Sequence, residues 1–226
     1  MSRAPVEVVS LLSRGPRPYD EVLGLQDEAA ARVTEGGPET LFLLEHTDVI
    51  TIGRNAGRGD LLASDDLLAR QGIDVRPSDR GGKLTFHGPG QLVAYPVLNL
   101  APGETDVRRY IRNLEETLIR TAAEFGVEAA RSAEPGRWSS IWVGNDKLAA
   151  IGVHLSRWVT THGAALNVRT DLSRFSLIVP CGIVDGGVTS LARLLGPEAA
   201  PSVVAVAAAF TRHFGQLFGR RLREAA

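Results

Sequence analysis

Cysteine is almost absent from this 226-residue chain: Cys181 stands alone. A single cysteine excludes an internal disulfide, a CxxC redox pair and a cysteine zinc cage. Long apolar runs are also missing. A membrane helix needs about 18 such residues, and the most apolar stretch, 199–210, carries Pro201. The first 20 residues lack a continuous apolar core and a small-residue cleavage pattern, so no export signal is read and the cytoplasm is the expected compartment. The net charge of −1 provides no basic field for nucleic acid. Lysine is scarce too: of 25 basic residues only Lys83 and Lys147 are lysine. Arginine holds its proton while lysine can release it, so each lysine is either a solvated side chain or a proton carrier.

What remains is ordinary globular material, 44% hydrophobic and 23% charged, without repeats or low-complexity segments. Residues 1–226 are read as one domain. Apolar spacing of three or four predicts helices over 19–33, 105–125 and 202–222. Strand-like runs occupy 40–45, 49–52, 91–100, 139–143, 147–155 and 158–168. Short turns such as Gly144-Asn145-Asp146 imply antiparallel pairing. Regular strand–helix alternation is missing. The expected fold class is α/β (α+β), with a mixed, largely antiparallel sheet and helices packed against it.

Three stretches carry candidate chemistry. In Arg80-Gly81-Gly82-Lys83-Leu84-Thr85-Phe86-His87-Gly88-Pro89-Gly90-Gln91, glycine pairs allow backbone N–H groups close to a ligand. The phosphate-loop and dinucleotide spacings are absent. The alternative is a glycine-rich hairpin with His87 bonded to backbone. Cys181 lies in a Pro-Cys-Gly turn followed by Gly186-Gly187, Thr189 and Ser190. It is either a small buried hydrophobe or a nucleophile beside N–H donors. Lys147 opens a run of small apolar residues, Ala149-Ala150-Ile151-Gly152, and 161–167 again combines histidine with glycine and alanine. Such residues on facing strands leave a groove suited to an aliphatic chain. His46, His154 and His162 lack metal-ligand spacing, so no metal is expected. Arg108, Arg109 and Arg112 form a basic cluster on the second helix, either a solvated face or a docking surface for acidic partners.

Four motifs, in order, resemble those of the lipoyl(octanoyl) transferases: Arg80–Gln91 with Tyr95 (RGGKLTFHGPGQLVAY), 147–152, 161–168 and 178–191 (IVPCGIVDGGVTSL). Glu45-His46 and Ile52-Gly53-Arg54 fit as well, so the likeness spans about 41–191. The resemblance implies a fold shared with biotin and lipoate protein ligases. It implies transfer of octanoyl from acyl carrier protein to a lysine on lipoyl domains, those of 2-oxoacid dehydrogenase complexes and the glycine cleavage H protein. Catalysis would rest on Cys181, through an acyl-thioester, and Lys147, as acid and base. Acyl contacts would come from Arg80, Gly81, Gly82, Lys83, Leu84, Thr85, Phe86, His87, Ala150, Ile151, Gly152, Gly163, Ala164 and Ala165. Lys83 sits at a variable family position, and Ala164 stands where the family often has a bulkier residue. No cofactor, nucleic acid or membrane is expected, and a monomer is. The competing readings are an ATP-dependent lipoate protein ligase, an acyl thioesterase pairing Cys181 with His87 or His162, and a non-enzymatic acyl-binding module.

Overall fold

A computed structural model describes residues 4–57, 59–100, 103–132, 139–179 and 186–225. In chain order the elements are β1 (Val6–Ser10), α1 (Tyr19–Thr34), β2 (Thr40–Leu44), β3 (Val49–Ile52), α2 (Asp65–Arg70), β4 (Asp74–Pro77), β5 (Leu84–His87), β6 (Gln91–Val97), α3 (Val107–Glu124), β7 (Ala130–Arg131), β8 (Ser140–Val143), β9 (Asp146–Ser156), β10 (Val159–Asn167), β11 (Gly187–Val188), α4 (Leu191–Leu195), α5 (Val203–Phe218) and β12 (Leu222–Glu224). A 3₁₀ segment, Leu172–Leu177, follows β10.

Among the described residues, nine strands form one mixed sheet in the order β12-β1-β2-β6-β10-β9-β8-β7, with β11 parallel to β9. The central ladder from β2 to β7 is antiparallel throughout. The sheet turns parallel where β1 meets β2 and β12. A second sheet, β4-β3-β5, stands beside it. Gly144, with φ +58, opens the two-residue turn into β9, as hairpin twist requires. The next hairpin turns on Arg157 and Trp158, both left-handed without being glycine.

Side chains alternate across the central strands, so both faces are covered. Leu41 and Leu43 of β2, with Leu92 and Ala94 of β6, pack beneath Leu114 and Leu118 of α3 and Phe210 and Phe214 of α5. Phe42, Leu44, Val93, Tyr95 and Val97 face the opposite way, onto Val22, Ala29 and Val33 of α1. Two-sided burial explains why β2 and β6 read as unbroken apolar runs. The small sheet has its own core, in which Ile50, Phe86 and Leu68 meet Phe175 and Ile178 of the 3₁₀ region. It docks by β4 onto the start of α1, where Arg76 Nε donates to Asp20 Oδ2 at 2.8 Å. Helix α3 is capped by the Asp106 carboxylate and α5 by the Ser202 hydroxyl, each accepting a first-turn N–H. Gly219, left-handed at φ +59, stops α5 four residues short of the 202–222 expected from periodicity.

Candidate active site

The wall of a cavity begins with missing side-chain volume. One row across the large sheet reads Leu44, Val93, Ala165, Ala150. The next ladder pair toward the loop is Gly163 and Gly152. The face that α1 covers at β2, β6 and part of β10 leaves a bare patch where Ala165 and Gly163 meet Ala150 and Gly152. The Arg80–Leu84 segment bridges that bare patch to the small sheet and encloses a space of about 330 Å³.

Hydrogen bonds hold this segment from both sides. Gly81 N–H donates to Val153 O of β9 at 2.9 Å. From the other side Gly53, Arg54 and Asn55 donate to Lys83 O, Arg80 O and Gly82 O at 2.9, 3.1 and 3.1 Å. The approach is too tight for a side chain at Gly53, where a Cβ would collide with Gly82 O, and close at Gly152, where one would sit 3.0 Å from Arg80 Cδ. The Arg80 guanidinium is buried and donates to Thr51 Oγ1 (3.1 and 2.8 Å), Thr51 O (2.8 Å) and Gly81 O (3.0 Å). Its planar fork is bound to the protein's own backbone and hydroxyl.

The expected acyl-contact residues Arg80, Gly81, Gly82, Lys83, Leu84, Thr85 and His87 all line this cavity, as do Ala150, Ile151, Gly152, Gly163, Ala164 and Ala165. Phe86 does not. Its ring is buried in the small core, where it meets Phe175 edge-on at 5.7 Å. Lys83 pairs its ammonium with Asp60 at 3.1 Å near the surface. Lys147 lines the cavity, is 8% exposed, and carries its Nζ 5.0 Å from the centroid of the Trp142 ring. Cys181 lies outside the described residues. The chain that follows it is in register with Lys147: Val188 of β11 pairs with Lys147, and Thr189 N–H donates to Lys147 O at 2.9 Å. Arg108, Arg109 and Arg112 are exposed on α3, next to the cavity-lining Ile111.

A polar group gathers at and behind another part of the lining. His46 Nδ1 donates to Arg17 O at 3.0 Å, so Nε2 accepts from the Tyr95 hydroxyl at 2.9 Å. Burial lowers the His46 pKa to about 4, leaving the ring neutral. His87 is pushed well below its usual value by burial, with His46 adding to the effect. Its Nδ1 donates to Gln91 Oε1 at 2.7 Å. Gln91 Nε2 then donates to Asn167 Oδ1 (2.9 Å), and Asn167 Nδ2 to Thr189 O (3.0 Å). A buried relay therefore runs from His87 to the residue bonded to Lys147. His162 Nε2 donates to Asp79 at 2.6 Å. Burial lowers the His162 pKa, although Asp79 opposes the shift. Asp79 itself is lowered: burial would raise it, but the His162 bond and the nearby histidines outweigh that. Among the described residues no group of three His, Cys, Asp or Glu is placed to hold a metal ion.

The motif reading did not single out Tyr19, Asn167, Phe175 or Asp79. Tyr19 and Phe175 sat in segments without chemical pattern, and Asn167 lay inside the 161–168 motif without an assigned role. Nothing in the sequence pairs Asp79 with His162, 83 positions away.

A family profile described as the lipoyl protein ligase A/B catalytic domain matches residues 18–215. The chain belongs to this family. A protein of Solibacter usitatus named octanoyltransferase is 50% identical over 201 residues, 88% of each chain. One of the same name from Caldicellulosiruptor bescii is 44% identical over 206 residues, covering 90% of this chain and 89% of its own. Among solved structures, a lipoate-protein ligase A bound with ATP superposes with TM-score 0.78 at 18% identity, covering 98% of this chain and 89% of its own. A biotin protein ligase from Leishmania major gives 0.53 at 14%, covering 97% and 77%. At these identities the likeness is one of fold, and it bears out the expected architecture.

Proposed function

We propose that this protein is an octanoyltransferase. It takes octanoyl from the phosphopantetheine thioester of acyl carrier protein and delivers it to a specific lysine of lipoyl domains, in 2-oxoacid dehydrogenase complexes and in the glycine cleavage H protein. The observation that carries this reading is the cavity itself: small apolar side chains line it, and so does Lys147. An octanoyl chain buries about seven CH₂ groups there, on the order of 5 kcal/mol at about 0.8 each. Relatives at 41–51% identity bearing the octanoyltransferase name support the same conclusion. The proposed setting is the cytoplasm, and the proposed state is a monomer. None of the described helices is long and apolar enough to cross a membrane.

In this scheme Cys181 is the nucleophile. A free thiol is only about 3% thiolate at pH 7, so the proton needs an acceptor, the role given to Lys147. The Cys181 thiolate adds to the thioester carbonyl. The carbon–sulfur bond to phosphopantetheine then breaks, and that sulfur leaves with a proton returned by Lys147. The product is octanoyl on Cys181. The acceptor lysine amine attacks next, gives its proton to Lys147 and expels Cys181 as thiolate, leaving an amide. Thioester exchange is nearly neutral and amide formation is downhill, so the scheme needs neither ATP nor a cofactor of the protein's own. Apolar walls exclude the water that would hydrolyse the intermediate.

A lipoate protein ligase reaction would instead require ATP. The test is to incubate the protein with octanoyl-acyl carrier protein without nucleotide and measure its intact mass. An octanoyl adduct at Cys181 is expected, passing to a lipoyl domain on addition of acceptor. Transfer without an adduct would overturn the covalent step, and a strict ATP requirement would identify a ligase. Free octanoate without acceptor would identify a thioesterase. Lys147→Ala is expected to slow adduct formation by about 10²- to 10⁴-fold.

A further inference from the structure

At His162 a wall separates the cavity from a second recess. His162 lines both spaces. Tyr19 lines the inner one, while Ser78 and Asp79 line the outer one together with Leu23, Pro77 and Thr161. Two hydrogen bonds cross the wall side by side: Tyr19 Oη to Ser78 Oγ at 2.9 Å, and His162 Nε2 to Asp79 Oδ1 at 2.6 Å. Arg80, the next residue along, belongs to the inner lining.

The wall holds its position through an unusual backbone. His162 is left-handed at φ +57 in the middle of β10, where L residues other than glycine are strained. Its N–H is taken by the Gln26 side chain, through Oε1 at 2.7 Å, from the buried face of α1. The ring is 2% exposed and meets Tyr95 edge-on at 6.0 Å. His154 Nε2 lies 3.4 Å from the same Asp79 carboxylate. Gln26 of α1 at the backbone N–H, Tyr95 of β6 against the ring and Asp79 at Nε2 thus hold one imidazole across the end of an apolar space, at the expense of a strained backbone.

We infer that His162, clamped to Asp79 beside the Tyr19–Ser78 pair, is a specificity-determining stop that sets the greatest acyl length the cavity accepts. The inference rests on the octanoyltransferase reading. A chain that fits ends against the ring, and a longer one must displace it or leave its reacting carbonyl out of place. Removing the ring would join the inner cavity to the outer recess and let added methylenes pass through.

The test compares kcat/KM for hexanoyl- to tetradecanoyl-acyl carrier protein in the wild type and two variants. His162→Gly removes the ring and relieves the left-handed strain. Asp79→Ala removes the clamp at a side chain half exposed to solvent. The wild type is expected to fall off steeply beyond octanoyl. In His162→Gly the dodecanoyl-to-octanoyl ratio should rise by about 10-fold or more, the discrimination a methylene or two carries in an apolar pocket. Asp79→Ala should move the ratio the same way by less. A parallel loss at every length leaves the ratio unchanged and overturns the inference, as does a wild type that already accepts dodecanoyl as well as octanoyl. If the wild type transfers no acyl group, the octanoyltransferase reading is what fails.

Discussion

One face of one sheet does two different things. At β2 and β6 it carries Phe42, Leu44, Val93 and Tyr95, packed against α1. Along the seam where the neighbouring β10 meets β9, the same face carries Ala165, Ala150, Gly163 and Gly152, and these line the cavity, while α1 still reaches β10 through Gln26 at His162. Backbone pairing hardly changes between the two regions, and both belong to one antiparallel ladder. The cavity is therefore written in side-chain volume rather than in topology. Large residues make a core, and small ones in the same register make a binding site.

Substitutions can break that contrast from either side. Leu44→Ala in the packed half should cost about 3 kcal/mol of stability by opening a void that the sheet cannot collapse. Chemical denaturation would measure it, and the acyl-length profile of the folded enzyme should be unchanged. Ala150→Leu is the reverse experiment, importing core-sized volume into the bare half. Octanoyl kcat/KM should fall by about 100-fold while the melting temperature stays close to wild type, and an unchanged rate would separate the cavity from the substrate. The smallest effect concerns the imidazoles at the border. His46 has a folded pKa of about 4 against about 6.5 unfolded, so the unfolded chain binds the proton first. Stability from this group is complete above about pH 6.5 and is lost as pH falls toward 4, by up to about 1.4 kcal/mol per pH unit. His46→Gln should make that decline shallower in thermal melts between pH 7 and pH 5.

The strong periodic elements were legible in the sequence. The expected helix over 19–33 is α1 to within a residue, because its buried stripe of Tyr19, Val22, Ala29 and Val33 repeats at helical spacing. The strands at 40–45 and 49–52 and the turn at Gly144-Asn145 were equally readable. Elements too short to show a period were not. Helix α2 has six residues and β4 is largely polar, so half of the small sheet's surroundings left no pattern. At the site, glycine and alanine marked the cavity wall, since a lack of volume is visible in composition. Phe86 is absent from the lining although Leu84, on the same face of β5, belongs to it, because its ring is sunk into the small sheet's core, and that depth leaves no mark in the sequence. Asp79 with His162, Tyr95 with His46, and Asn167 with Thr189 are long-range pairs that only the folded register brings together.

The buried fork of Arg80 has a consequence for affinity. Because its N–H groups end on Thr51 and Gly81, the glycine segment takes up its working shape while the chain folds, before any ligand arrives. Entropy that a floppy glycine loop would lose on binding has already been lost, so more of the apolar contact free energy remains to hold the guest. Lysine at position 80 could supply the charge but not the geometry. Its loss should surface as weaker, looser binding of every acyl chain alike.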